Sequence, residues 1–364
     1  MIRRYRWWLS GAALLLAAIL GGVFVFVSGE PPLPGRPGPP ERPGPPGTGP
    51  LTIVSMGDST LSGEGAGNYT AETNGKNGNW CHRSPYATVH QTNLPKVTAE
   101  VNLACSGAPS EQVALGDVKQ YTERSQAEQL AEVIDDGHRV VAIVVAVGAN
   151  DDPQFSHMID RCFEAWLYPE KPPCSEQLGP DLDERVEAMI PQVVDALEDI
   201  KLVLERAGYK PGDTEIVLQS YASPLSPDIP ESLRNLNGCP FRTQDMRWMK
   251  YEAVTALSDG LRKAATKADV RFLDLSHAGY GHEACAGGAD PSSEWFRRLT
   301  VQWSDLTEVD RASHAIQESF HPNRRGYAQF GRCLTEFFAM REDTGACIVG
   351  DDGDLHAVNS LTTA

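Results

Sequence analysis

The chain of 364 residues has no Cys-x-x-Cys pair among its eight cysteines, so neither a structural zinc site nor a thioredoxin-like redox motif has ligands at the needed spacing. None of its nine histidines forms the His-x-x-x-His spacing that sets two rings on one helical face for zinc. No Gly-x-Ser-x-Gly elbow occurs, and no glycine loop of the phosphate-cradling kind. No metal and no cofactor are therefore expected. Positive charge is also scarce. Lys and Arg number 32 against 49 Asp and Glu, for a net charge of -17. Five arginines against Glu30 and Glu41 make residues 1–50 net +3, so the remainder carries -20. A body this acidic repels a phosphate backbone, which excludes a nucleic acid as partner by bulk charge. At 41% hydrophobic and 22% charged, the chain is not globally disordered and can bury a sizeable core.

The ends differ from the middle. Residues 1–6 are basic, and residues 7–27 are apolar without a single charge, long enough to cross a bilayer, which takes about 20 residues. No Ala-x-Ala cleavage site follows. Residues 1–29 are therefore expected to be a signal anchor, inserted in the membrane with the basic side in the cytoplasm, or else a signal peptide removed after export. Residues 30–50, rich in Pro and Gly, read as a semi-rigid linker. Residues 51–347 are expected to be the folded domain, a monomer, and the polar stretch 348–364 a loose tail. An even number of cysteines in an exported chain suggests four disulfides. Pairing sequence neighbours would join Cys81 to Cys105, Cys162 to Cys174, Cys239 to Cys285 and Cys333 to Cys347, although other connectivities remain open.

Within 51–347 short apolar runs alternate with helical patterns. Strands are expected at 51–56, 98–103, 140–147, 215–219 and 271–275. The run VVAIVVAV at 140–147 is apolar throughout, as suits a central parallel strand covered on both faces. Leu182, Val186, Met189, Val193, Leu197, Ile200 and Leu204 recur at three- and four-residue spacing and predict an amphipathic helix over 181–207. Further helices are expected at 243–267 and 322–340, the last with Pro322 near its first turn. Strand and helix in alternation predict an α/β fold, a three-layer α/β/α sandwich around a parallel sheet.

The residues just beyond the strands carry the chemistry. Ser59 follows the first strand in Gly57-Asp58-Ser59-Thr60, Gly107 follows the second in Cys105-Ser106-Gly107, and Asn150 follows the third in Gly148-Ala149-Asn150-Asp151. Carboxyl ends of parallel strands share one edge, where ligands bind. A hydroxyl, a backbone amide and a side-chain amide would thus converge with His321, which stands in Glu318-Ser319-Phe320-His321-Pro322. Acyl transfer from an ester needs such a set. Serine attacks only when a base takes its proton, and the tetrahedral oxyanion needs donors fixed in advance. The candidate nucleophile is Ser59, the base His321, and the orienter of its ring Glu318. The amides of Ser59 and Gly107 and the side chain of Asn150 are the candidate oxyanion donors.

These four blocks, in this order, resemble the SGNH (GDSL-type) hydrolases, and are most similar to the disulfide-bearing secreted esterases and lipases of actinobacteria. GDST at 57–60 matches the first block, Gly107 the glycine of the second, Gly148-x-Asn150-Asp151 the third, and Glu318-x-x-His321-Pro322 the last. The resemblance implies a flavodoxin-like sheet, metal-free hydrolysis of an ester substrate, lipid or acetylated glycan, and an open site. Thr60 stands where the family has Leu, outside the chemistry. Glu318 stands where Asp is usual, and some members dispense with that carboxylate and use a Ser–His dyad. A surface binding module with a decayed site is the reading from another class. Asp58 and Asp151 are expected to be local hydrogen-bonding residues, and His277, His282 and His314 loop residues.

Overall fold

The structure is a computed structural model that describes residues 45–151, 156–303, 305, 311 and 314–361. The expected membrane segment at 7–27 and most of the linker lie outside the described residues. Among the described residues no helix is long and apolar enough to cross a membrane.

Seven strands form one sheet: β1 Leu51–Gly57, β2 Ala99–Asn102, β3 Arg139–Ala146, β4 Glu215–Gln219, β5 Arg271–Asp274, β6 Thr344–Val349 and β7 Leu355–Val358. Their spatial order is β2-β1-β3-β4-β5-β6-β7. The first six run parallel and β7 is antiparallel to β6. This is the flavodoxin-like winding, in which the chain reverses its direction of travel between β1 and β3 and opens a crevice at their carboxyl ends. All five strands expected from the sequence are present.

Among the helices are α1 Ser59–Ser62, α2 Gln126–Asp135, α3 Leu182–Arg206, α4 Val254–Lys267 and α5 Arg324–Ala339. Both faces of the sheet are covered, which is why β3 reads as continuous apolar sequence: residues 142–147 are all buried. Ile53 and Ala142, in register on neighbouring strands, pack with Ala87, Val89 and Phe338. Their neighbours Val54 and Ile143 join the larger cluster that contains the apolar stripe of α3. The helix expected at 243–267 runs through a π turn at Met249–Ala253 before α4.

Two expectations change. Pro322 lies before α5 and not in its first turn. The extended Asn323 is the N-cap, its Oδ1 accepting from the amides of Arg325 (2.9 Å) and Gly326 (3.1 Å), a role at which Asn excels. Residues 355–358, expected in a loose tail, form β7. Only Leu355 of that strand is fully buried. Its backbone is held by α5 side chains: Leu355 N donates to Gln329 Oε1 (2.8 Å) and Ala357 N to Glu336 Oε2 (2.9 Å). Pinned by polar partners from elsewhere in the chain, the strand has no apolar stripe of its own to announce it.

The four disulfides join Cys81 to Cys105, Cys162 to Cys174, Cys239 to Cys285 and Cys333 to Cys347, the pairing of sequence neighbours. The first ties the loop after β2 to the segment that follows α1. A loop of 24 residues closed in this way restricts the unfolded chain by about 3–4 kcal/mol in the chain-entropy model.

The last residue of β1, Gly57, takes φ +134°, and a Cβ on it would stand 1.9 Å from the carbonyl oxygen of Ala146 at the end of β3. Only glycine lets the two strand ends pass here. Gly57→Ala is expected to destabilise the protein by about 3 kcal/mol or more, from the strained φ and the overpacking together. A urea-unfolding midpoint equal to that of wild type contradicts this account.

Candidate active site

Beyond Gly57 the chain turns into α1, and Asp58 caps that helix. Its Oδ1 accepts from the amide (3.0 Å) and the hydroxyl (2.9 Å) of Thr60, while its own amide donates to Ala146 O (3.0 Å). Capping therefore falls to Asp58, and Ser59, the first residue of the helix, keeps its hydroxyl for another partner. That partner is His321, whose Nε2 lies 2.9 Å from Ser59 Oγ across 262 residues of sequence. As the first helical residue, Ser59 also has an amide with no intrahelical acceptor.

The β2 end is held against the same turn, with Cys105 N donating to Gly57 O (3.0 Å). Gly107 follows in the left-handed region at φ +78°, and its amide donates to no protein group among the described residues. Gln120 and Tyr121 stand over it: a Cβ on Gly107 would lie 2.8 Å from Gln120 Nε2. Asn150 is half-buried at the end of β3, its Nδ2 at long range from Asp58 Oδ2 (3.5 Å) and Ala108 O (3.4 Å). These two distances place its amide between the Ser59 turn and the Gly107 loop. Ser59, Gly107, Asn150 and His321 thus come together at the β1–β3 crevice.

Glu318 does not join them as expected. Its Oε1 accepts from Tyr69 OH (2.7 Å), its Oε2 from Gln302 Nε2 (3.0 Å), and Arg297 Nε stands 3.5 Å from Oε2. His321 Nδ1 is buried and finds no hydrogen-bond partner among the described residues. The extra methylene of Glu relative to Asp carries the carboxylate away to these three groups. Burial lowers the pKa of His321 below 6.5. The charge of Glu64 and the backbone carbonyls of Ser319 and Gln317 beside the ring act in the opposite sense.

The other acids fall into place around this pair. Burial raises Asp58 to about 6, against the opposing hydrogen bonds from Tyr221 (2.5 Å) and Thr60. Asp151 accepts from the amide and hydroxyl of Ser110, both at 2.6 Å. Burial raises its pKa too. Both carboxyls are local hydrogen-bonding groups, as the turn sequences suggest. His314 stacks on Trp80 (4.0 Å) and His282 on Trp295 (4.1 Å). Sequence reasoning missed Glu64, His82 and Gln317, which form a buried polar cluster behind His321. The one signal available was Gly63-Glu64-Gly65, an acid flanked by glycines directly after α1.

The family model for the GDSL-like lipase/acylhydrolase family matches residues 55–329, a span that begins in β1 and ends in α5. No curated protein matches the chain. Among solved structures, an extracellular lipase from Streptomyces rimosus is 18% identical, with 76% of this chain and 94% of that one covered and a TM-score of 0.46. Phospholipase A1 from Streptomyces albidoflavus NA297 is likewise 18% identical, covering 77% and 95% with a TM-score of 0.44. Est24, a carbohydrate acetylesterase from Sinorhizobium meliloti, is 12% identical, covering 79% and 98% with a TM-score of 0.36. The match of the family model over most of the folded chain, and not these distant likenesses, decides the assignment: the chain belongs to the GDSL-like lipase/acylhydrolase family and is a carboxylic ester hydrolase.

Proposed function

We propose that the protein is an extracytoplasmic serine ester hydrolase working through an acyl-enzyme on Ser59. The observation that carries this reading is the 2.9 Å contact between Ser59 Oγ and His321 Nε2. In the first half-reaction Ser59 Oγ attacks the acyl carbon and His321 takes its proton. The carbonyl oxygen, now negative, meets the amides of Ser59 and Gly107 and the side chain of Asn150. Collapse breaks the ester bond, and the alkoxide leaves with the proton from His321. Water then attacks the acyl carbon, giving its proton to His321, and the acid departs as Ser59 recovers its own.

The engagement of Glu318 by Tyr69, Gln302 and Arg297 favours a Ser–His dyad in which the backbone carbonyls of Ser319 and Gln317, and not the carboxylate of Glu318, stand beside the imidazole. Four disulfides support a location outside the cytoplasm, where they persist. The basic start and the uncharged apolar run at 7–27 support export with that segment as the anchor.

Three outcomes follow for the protein from residue 45 onward, made under oxidising conditions. With p-nitrophenyl esters from acetate to palmitate, Ser59→Ala abolishes turnover while circular dichroism stays that of wild type; retained esterase activity would falsify the acyl-enzyme, and the chain-length optimum assigns the acyl group. Glu318→Gln lowers kcat by less than about tenfold, against the ~10⁴-fold loss when a carboxylate that holds the histidine tautomer is removed. A loss of that larger size returns Glu318 to a triad. Because the base must be neutral and burial lowers its pKa, the acid limb of kcat/KM is centred below pH 6.5, in the region where Asp58 also takes up a proton at about 6. An acid limb centred above 6.5 in the pH profile of p-nitrophenyl acetate hydrolysis contradicts that assignment.

A further inference from the structure

Behind the Ser59–His321 contact lies a buried carboxylate to which the segments of Ser59, Gly107 and His321 are tied. Glu64 is fully buried, five residues beyond Ser59, and its amide donates to Ser59 O (3.2 Å). Tyr327 OH, from α5, donates to Glu64 O (2.7 Å) and to Ser59 O (3.3 Å). The next residue packs directly on the base: a Cβ on Gly65 would stand 2.9 Å from that of His321.

The carboxylate itself gathers two donors. His82 Nδ1 lies 2.9 Å from each oxygen and Gln317 Nε2 2.8 Å from Oε2, while Tyr69 OH, which donates to Glu318, stands 3.3 Å from Oε1. The Tyr69 ring stacks on His82 at 4.1 Å with the planes 3° apart. Gln317 Nε2 also reaches Ser106 Oγ (2.9 Å), beside Gly107, and Trp80 O (3.3 Å). One cluster therefore joins the segment after the nucleophile, the loop of the oxyanion glycine, the disulfide segment at Cys81 and the approach to the base. Its two ends hold non-glycine residues in the left-handed region, His82 at φ +50° and Phe320, next to His321, at φ +62°. Such strain persists only where the surroundings over-determine it.

Burial alone would push the Glu64 carboxyl up, but the hydrogen bond and charge of His82 prevail and hold it below the usual range. An ionised carboxylate kept out of water is expensive, and here its field acts on His321 to favour the charged ring. The charges that act on the imidazole are Glu64, which favours its charged form, and His82, which opposes it; Tyr69, Tyr327, His314 and the Glu318–Arg297 ion pair belong to the segments around that cluster. Glu318 is paired with Arg297 and Glu64 with His82, and of the two carboxylates it is Glu64 whose charge acts on the ring, against that of His82.

We infer that Glu64, held by His82 and Gln317, is the positioning residue for His321, fixing the 317–321 segment against Ser59 and supplying the buried negative charge that stabilises the imidazolium formed as Ser59 attacks. The inference rests on the Ser–His reading above.

The experiment is the pH profile of p-nitrophenyl acetate hydrolysis by Glu64→Gln, beside wild type and Ser59→Ala. Expected are a fall in kcat of about 10²-fold, as for a misplaced catalytic group, with KM within about threefold of wild type. The acid limb of kcat/KM moves to lower pH by ~0.5 unit or more, because the charge that favours the imidazolium is gone. A purely structural carboxylate would lower the melting temperature and leave the limb in place, so a folded Glu64→Gln with an unmoved limb overturns the inference. If that variant does not fold, Glu64→Asp carries the test: it keeps the charge but withdraws it by one methylene, so a smaller shift in the same direction with reduced kcat is expected. An unmoved limb with wild-type kcat overturns the inference equally. Turnover that survives in Ser59→Ala removes the parent reading instead, so the two failures are separable.

Discussion

The backbone of β1 must clear the last carbonyl of β3, and the placement of the Ser59 turn, the Gly107 loop and Asn150 follows from how it does so. Gly57 permits the passage, and Asp58 N then bonds to Ala146 O, locking the turn to the end of β3. From there the helix can start only at residue 59. Because the cap is the side chain of Asp58, the serine behind it is released from local duty. The loop after β2 is sewn to the same turn through Gly57 O, and Asn150 is placed by Asp58 and Ala108. The crevice of a flavodoxin-like sheet is a general feature of its winding. The particular set of donors within it depends on this one crossing.

The acids of the site illustrate how environment assigns different roles to one functional group. Asp58, buried among neutral donors, is pushed toward its protonated form. Glu64, equally buried but facing His82, is held ionised. Glu318 stands three residues from the base in sequence, yet its carboxylate is spent on Tyr69, Gln302 and Arg297. Proximity in sequence to a histidine is thus a poor guide to which carboxylate the histidine feels. The carboxylate whose charge favours the protonated ring, Glu64, comes from just beyond Ser59, more than 250 residues away, on the segment whose Gly65 packs on His321.

Much of this was legible beforehand. The continuous apolar run of β3 and the three- and four-residue spacing of α3 are direct imprints of two-sided and one-sided burial, so their location and type follow from periodicity alone. Ser59, Gly107, Asn150 and His321 were legible because a parallel sheet puts the ends of its strands on one edge, and strand ends can be found by inspection. The strand at 355–358 was not, since side chains of Gln329 and Glu336 hold its backbone and its own residues carry no alternation. Glu64, His82 and Gln317 were invisible for a related reason: a buried polar cluster has no period, and each member looks like a loop residue until its partners are in place.

What the sequence determined by itself is the fold class, the residues that gather at the strand ends and the export-compatible cysteine content, because these depend on residue type and short-range spacing. Tertiary structure alone decided where each carboxylate lies relative to His321 and that the Ser59 hydroxyl meets its ring. Those depend on where side chains from opposite ends of the chain meet, and on which of several acceptors is nearest once water is excluded.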